Sequence, residues 1–162
     1  MTCLAAWKDK KQVWMAGDSG AFDDSTVIIS AEPKVWVTES SLVGVSGSFR
    51  IMDILRKSAV SDPYKIRDYL MARANDAGFP ADDWAVLVAN KTAIYEIGSD
   101  FAVVKSREPY GATGAGAQAA LAALYALERS KELTGKERVE TAVNAAVTHT
   151  TNARPPVVVI SL

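Results

Sequence analysis

Residues 2–18 read TCLAAWKDKKQVWMAGD, two mainly apolar runs, Cys3 to Lys8 and Gln12 to Asp18, on either side of the charged turn Asp9-Lys10-Lys11. Short runs rich in Trp, Val and small apolar residues, broken by a polar turn, predict a β-hairpin. The pattern returns at Lys34 to Thr38 and Leu42 to Ser46, which flank Glu39-Ser40-Ser41 and predict a second hairpin. Trp84 to Ala89 and Ala93 to Ile97 alternate around Asn90-Lys91-Thr92, and Phe101 to Lys105 adds a further strand.

Between and after these strands the spacing turns helical. Phe49 to Val60 places Ile51, Ile54, Leu55 and Ser58 on one face, and a second helix starts at Ser61-Asp62-Pro63. Pro63 suits a first helical position, where its missing N–H has no intrahelical partner. That helix carries Ile66, Tyr69, Leu70 and Arg73 and ends at Gly78-Phe79-Pro80. After the glycine-rich stretch Gly111 to Gly116, the Ala- and Leu-rich run Ala117 to Ser130 predicts a buried helix. Thr134 and Glu137 form a capping-box pattern ahead of a last helix, Lys136 to about His149. Pro155-Pro156 bars further helix and Val157 to Leu162 closes as a strand. The order ββββααβββααβ predicts an α+β fold, a four-layer αββα sandwich of two antiparallel sheets with helices outside. The 162 residues suit one domain, 1–162.

Composition narrows the function. The chain is 49% hydrophobic and 23% charged, the make-up of a chain able to bury a core. Eighteen Lys and Arg against nineteen Asp and Glu leave a net charge of −1, so no basic field favours nucleic acid or an anionic membrane surface, and neither is expected as a partner. A single cysteine, Cys3, forbids an internal disulfide, and no apolar run nears the ~20 residues of a membrane span. A basic region followed by an apolar core is absent from the N-terminal stretch, so a cytoplasmic setting is expected.

Thr2 stands directly before a strand, and its small size permits removal of Met1. Removal would leave a hydroxyl and a free α-amine on one residue. An α-amine titrates near ~7.7–8.0, so at neutral pH part of it can accept the hydroxyl proton, directly or through a water. A threonine hydroxyl also needs a nearby positive charge, which a buried lysine supplies.

Thr2 opening a strand, Ala16-Gly17-Asp18-Ser19 ending the next, and Lys34 sixteen residues after Asp18 resemble the nucleophile, acidic partner and lysine of proteasome β-type subunits and of the bacterial HslV peptidase. Val43-Gly44-Val45-Ser46-Gly47-Ser48 is similar to the family's glycine segment, and Gly114-Ala115-Gly116 followed by Ala117 to Ala123 to the start of its long helix. The resemblance runs in order over most of the chain and implies the same sandwich, that of the N-terminal-nucleophile hydrolases. It implies that Thr2 attacks a peptide carbonyl to form an acyl-enzyme, that Lys34 supplies positive charge held by Asp18, and that the Gly47 N–H meets the oxyanion. Ser46 and Ser48 would present backbone to an extended substrate. Where the family carries a serine between the glycines near the nucleophile this chain aligns Ala115, and Thr113, two residues away, could substitute if the register shifts; both are expected to bind substrate. After the last helix, His149 to Arg154 replaces the Asp and Ser of many proteasome subunits. The implied protein is a threonine endopeptidase without cofactor or metal, assembled in a homo-oligomeric ring or double ring, taking polypeptides fed by an ATPase unfoldase. A non-catalytic ring-forming relative and a small-molecule amidase with the same nucleophile are the alternatives.

Other residues read as structural. Taken alone, Asp18 and Lys34 would be a solvated pair. Strand alternation turns Cys3 away from the Thr2 face, against a thiol-imidazole dyad with His149, which suits a helix end. Gly111 to Gly116 lacks the ending of a phosphate-binding loop. Asp23-Asp24 and Asp82-Asp83 lack the other positions of a calcium loop and read as turns.

Overall fold

The structure is a computed structural model that describes residues 1–23 and 26–162. Strands β1 (Leu4–Lys8) and β2 (Val13–Gly17) form the first hairpin, with Leu4 opposite Gly17 and Lys8 opposite Val13. A short pair follows, β3 (Gly20–Asp23) and β4 (Thr26–Ile29), and then the second hairpin, β5 (Val35–Val37) with β6 (Leu42–Ser46). Helices α1 (Phe49–Arg56) and α2 (Pro63–Met71) lead to β7 (Ala85–Ala89), β8 (Ile94–Gly98), β9 (Val103–Lys105) and β10 (Tyr110–Thr113). Helices α3 (Ala117–Leu127) and α4 (Gly135–His149) precede β11 (Val158–Ser161).

One sheet has the order β10-β1-β2-β11 and the other β5-β6-β7-β8-β9, and every pairing within them is antiparallel. Alternation divides the central strands between two buried layers, which is why they read as nearly unbroken apolar runs. In the first sheet Cys3, Ala5, Trp7, Trp14 and Ala16 pack beneath Leu124, Val139 and Val143 of α3 and α4. Leu4, Ala6, Val13 and Met15 point the other way, against Leu42, Leu87 and Ile94 of the second sheet. That sheet turns Val43, Val45, Val86 and Ile97 outward under Ile51, Leu55, Ile66 and Leu70 of α1 and α2. The architecture is the αββα sandwich expected.

The differences are local. The pair β3–β4 was not expected, and all of β4 is exposed, so no buried face marks it in the sequence. Nor was β10, whose Tyr-Gly-Ala-Thr carries one large apolar side chain. Helix α1 ends at Arg56 instead of Val60, where Ser58 bonds the Leu55 carbonyl through both its N–H and its hydroxyl. Helix α2 ends at Met71 and gives way to i to i+3 turns, Arg73 to Leu70 and Ala74 to Met71. Thr134 and Glu137 do form the reciprocal capping box of α4. Of the Asp23-Asp24 pair, Asp24 lies outside the described residues. Among the described residues no helix is long and apolar enough to cross a membrane.

Candidate active site

Thr2 continues the register of Leu4 and Ala6, so it stands at one end of the gap between the sheets. The Lys34 ammonium, one residue before β5, reaches across that end. Its Nζ donates to Thr2 Oγ1 at 3.0 Å, to Asp18 Oδ1 at 2.9 Å and to the Met1 carbonyl oxygen at 3.4 Å, which occupies all three of its N–H groups. Thr2, Asp18 and Lys34 are 5%, 1% and 3% exposed, so the ion pair acts on the hydroxyl with little screening by water.

The Asp18 carboxylate does more than balance Lys34. Oδ1 also accepts from the Cys3 N–H and Oδ2 from the Gly20 and Arg154 N–H groups, each at 3.0 Å. One carboxylate thus joins the start of β1, the end of β2 and the segment ahead of β11, and fixes where the lysine points. Gly20 and Arg154 are site residues that sequence reasoning missed, because each contributes only its backbone. Arg154 comes from the segment that departs from the family pattern, and nearby Asn152 donates from Nδ2 to the Ala115 carbonyl at 3.4 Å.

Glycines bring the other walls close. The Gly116 N–H donates to the Thr2 carbonyl at 3.1 Å, and Gly114 has a φ of +90°, where a Cβ would overlap that same carbonyl oxygen. Gly47 also has a positive φ, +87°, and its missing Cβ would collide with the Asp83 carbonyl oxygen. Among the described residues the Gly47 N–H has no acceptor, and Gly47 lines the cavities on both sides of Thr2. The narrow cavity, about 60 Å³, is formed by Phe22, Val45, Phe49 and Met52 beside Lys34. The wide one, about 480 Å³, holds Ser46, Thr113 and Ala115 on the opposite side.

Ser48 departs from expectation. Its hydroxyl caps α1 by accepting from the Ile51 N–H at 3.4 Å and its carbonyl accepts from Met52 at 3.3 Å, so it begins a helix and its carbonyl offers no strand edge. Ser46 remains in β6, opposite Ala85. Cys3 lies in the cluster under α3 and α4 with its thiol pushed up to about 12 by burial, which leaves it protonated, and His149 is an exposed residue in the last turn of α4.

Burial at Thr2 lowers the pKa of both nearby amines from their ordinary values. Burial pushes the Lys34 amine below its ordinary value, against the pull of Asp18. Burial and then the Lys34 charge push the Met1 α-amine down as well.

No protein-family model and no curated protein sequence matches the chain. Solved structures do. BPH from Thiobacillus denitrificans superposes with a TM-score of 0.86 at 18% identity, covering 99% of this chain and 97% of that one. The same protein in complex with epoxomicin gives a TM-score of 0.85 at 18% identity, over 99% and 98%. Eukaryotic HslV from Trypanosoma brucei gives 0.81 at 17% identity, over 99% of each chain. Over essentially its whole length, therefore, the chain has the fold of BPH and HslV.

Proposed function

We propose that the chain is a threonine peptidase subunit of the proteasome and HslV type, with Thr2 as its nucleophile once the Met1–Thr2 bond is cut. The observation that carries the reading is the contact of the buried Lys34 ammonium with Thr2 Oγ1 at 3.0 Å, held in place by Asp18. In the uncut form Thr2 nitrogen is an amide and cannot serve as a base, and Met1 lines both cavities. Cutting that bond would turn the nitrogen into an amine in the setting that already depresses the Met1 amine.

Catalysis then proceeds through this chain's own groups. The neutral Thr2 amine takes the hydroxyl proton, through a water where the geometry requires it, while Lys34 favours the oxygen that loses it. Oγ1 attacks the carbonyl carbon, and the Gly47 N–H faces the oxygen that gains charge, where one such donor is worth ~3–4 kcal/mol. The protonated amine passes its proton to the leaving nitrogen, and water, activated by the same amine, hydrolyses the ester. The likeness to BPH, which has been solved with epoxomicin bound, supports this reading. Assembly in a ring or double ring, supply of unfolded chains by an ATPase and a cytoplasmic location belong to the same proposal.

The test is covalent labelling by a threonine-directed epoxyketone, read by intact mass, on protein with and without Met1. Label is expected on the cut form alone and is lost in Thr2→Ala, while Thr2→Ser keeps part of the peptide hydrolysis. The labelling rate should rise with pH and level off once the Thr2 α-amine is neutral, an α-amine ordinarily titrating near ~7.7–8.0. Peptide hydrolysis equal in wild type and Thr2→Ala would overturn the nucleophile. Cut protein that neither labels nor hydrolyses peptides would favour the non-catalytic alternative.

A further inference from the structure

Polar side chains interrupt the apolar inner faces of the sheets beside Thr2: Ser46 of β6, which donates to the Ala85 carbonyl at 3.4 Å, and two that have no such partner. Tyr95 and Ile97 of β8 pack outward under the helices, so Glu96 between them is turned into the gap, where its neighbour Ile94 joins the central core. Thr113 of β10, opposite Leu4, faces the same gap from the other sheet and is 5% exposed. Among the described residues the Thr113 hydroxyl has no hydrogen-bond partner, and Glu96 has neither a hydrogen bond nor an ion pair. Both line the wide cavity. Both groups open onto the cavity without a protein partner, so a ligand can bond both without displacing one.

The charge of the cavity identifies the ligand class. Its other charged lining side chains are Asp83 and Asp100, exposed at the mouth, and no lysine or arginine lines it. Lys34 lies on the other side of Thr2, engaged with Asp18. An apolar or acidic side chain would leave Glu96 unpaired or opposed. Among the described residues no three acidic, Cys or His side chains converge closely enough for a metal ion, so the fitting cation is an organic one. A cavity of about 480 Å³ accepts an extended lysine or arginine side chain.

We propose that this cavity is a subsite for a lysine or arginine side chain of the polypeptide on which Thr2 acts, with Glu96 reading the charge and Thr113 bonding the same group. The subsite rests on the reading of Thr2 as nucleophile, and Glu96 and Thr113 act as specificity residues. A peptide bond is then recognised by unlike neighbours, a cationic residue in the wide cavity and a small apolar one in the narrow cavity.

Two measurements separate the subsite from the nucleophile. The first needs no catalysis: blocked single residues, N-acetyl-lysine methylamide and N-acetyl-norleucine methylamide, are titrated into the isotope-labelled full chain carrying Thr2→Ala and followed by NMR. The lysine probe should bind about tenfold tighter, the scale of one charge-assisted hydrogen bond, and shift the amides of Gly47 and Thr113. Glu96→Gln should abolish the preference, Glu96→Asp should restore part of it, and Thr113→Val should reduce it. Equal binding of the two probes, or a preference that survives Glu96→Gln, overturns the subsite. The second measurement digests a mixed peptide library with the Met1-free protein and reads the cut sites by mass. Lysine and arginine should be enriched at one fixed position relative to the cut bond, and cuts without such enrichment overturn the subsite. Binding that follows Glu96 while the Met1-free protein neither labels nor cuts would leave the subsite standing and refute the nucleophile.

Discussion

Asp18 and Lys34 form one ion pair but carry different loads. Removal of Lys34 leaves Asp18 with three backbone N–H bonds, from Cys3, Gly20 and Arg154. Removal of Asp18 strands those three donors and the buried ammonium together, at roughly 1–3 kcal/mol for each unmet donor. Asp18→Ala is therefore expected to lose more than about 3 kcal/mol of stability in urea denaturation, and Lys34→Ala distinctly less. Epoxyketone labelling should fall about a hundredfold or more in Lys34→Ala, the scale on which a preorganised electrostatic group acts. A Lys34→Ala protein at least as destabilised as Asp18→Ala would refute this division of roles.

At the scale of elements, the join between β10 and α3 positions the nucleophile. It works by close approach: Gly114 lies against the Thr2 carbonyl, and a Cβ on Gly116 would meet Cys3 Cβ at 2.7 Å. Gly78 provides a control, since its φ is +78° but nothing lies within 4 Å of its missing Cβ. Gly78→Ala should cost only the backbone preference, roughly 1 kcal/mol. Gly114→Ala carries that cost and must also displace β1, so it should cost about 2 kcal/mol more than Gly78→Ala and abolish labelling of Thr2. Equal melting temperatures of the two variants would show that the approach to Thr2 is slack.

Across the whole molecule, the core is closed but part of the surface is not. Ile28 and Ile29 of β4 are 60% and 50% exposed, and Leu121 and Tyr125 of α3 are 38% and 67% exposed. Apolar side chains grouped on one strand and on one helix face are what subunit contacts cover. The protein is therefore expected to run as a multi-subunit particle in light scattering at micromolar concentration, and Tyr125→Lys or Ile28→Lys should shift it toward smaller species. A wild-type monomer under those conditions would exclude the ring. What the sequence by itself determined is what short-range periodicity and motif spacing encode: the two hairpins, the four helices, the layering, and Thr2, Asp18 and Lys34 as a set through their resemblance to a family. Strand β10 escaped because Gly111 to Gly116 carries turn residues, and it is a strand because β1 pairs with it from Leu4–Thr113 to Trp7–Tyr110. Only the tertiary structure decided which backbone groups hold Asp18. The Arg154 N–H lies 136 residues away and arrives there through the register of β11 on β2, which no local pattern records. Likewise Glu96 is one acidic residue in an alternating strand until packing settles which face the helices cover, and that choice turns it inward toward Thr2.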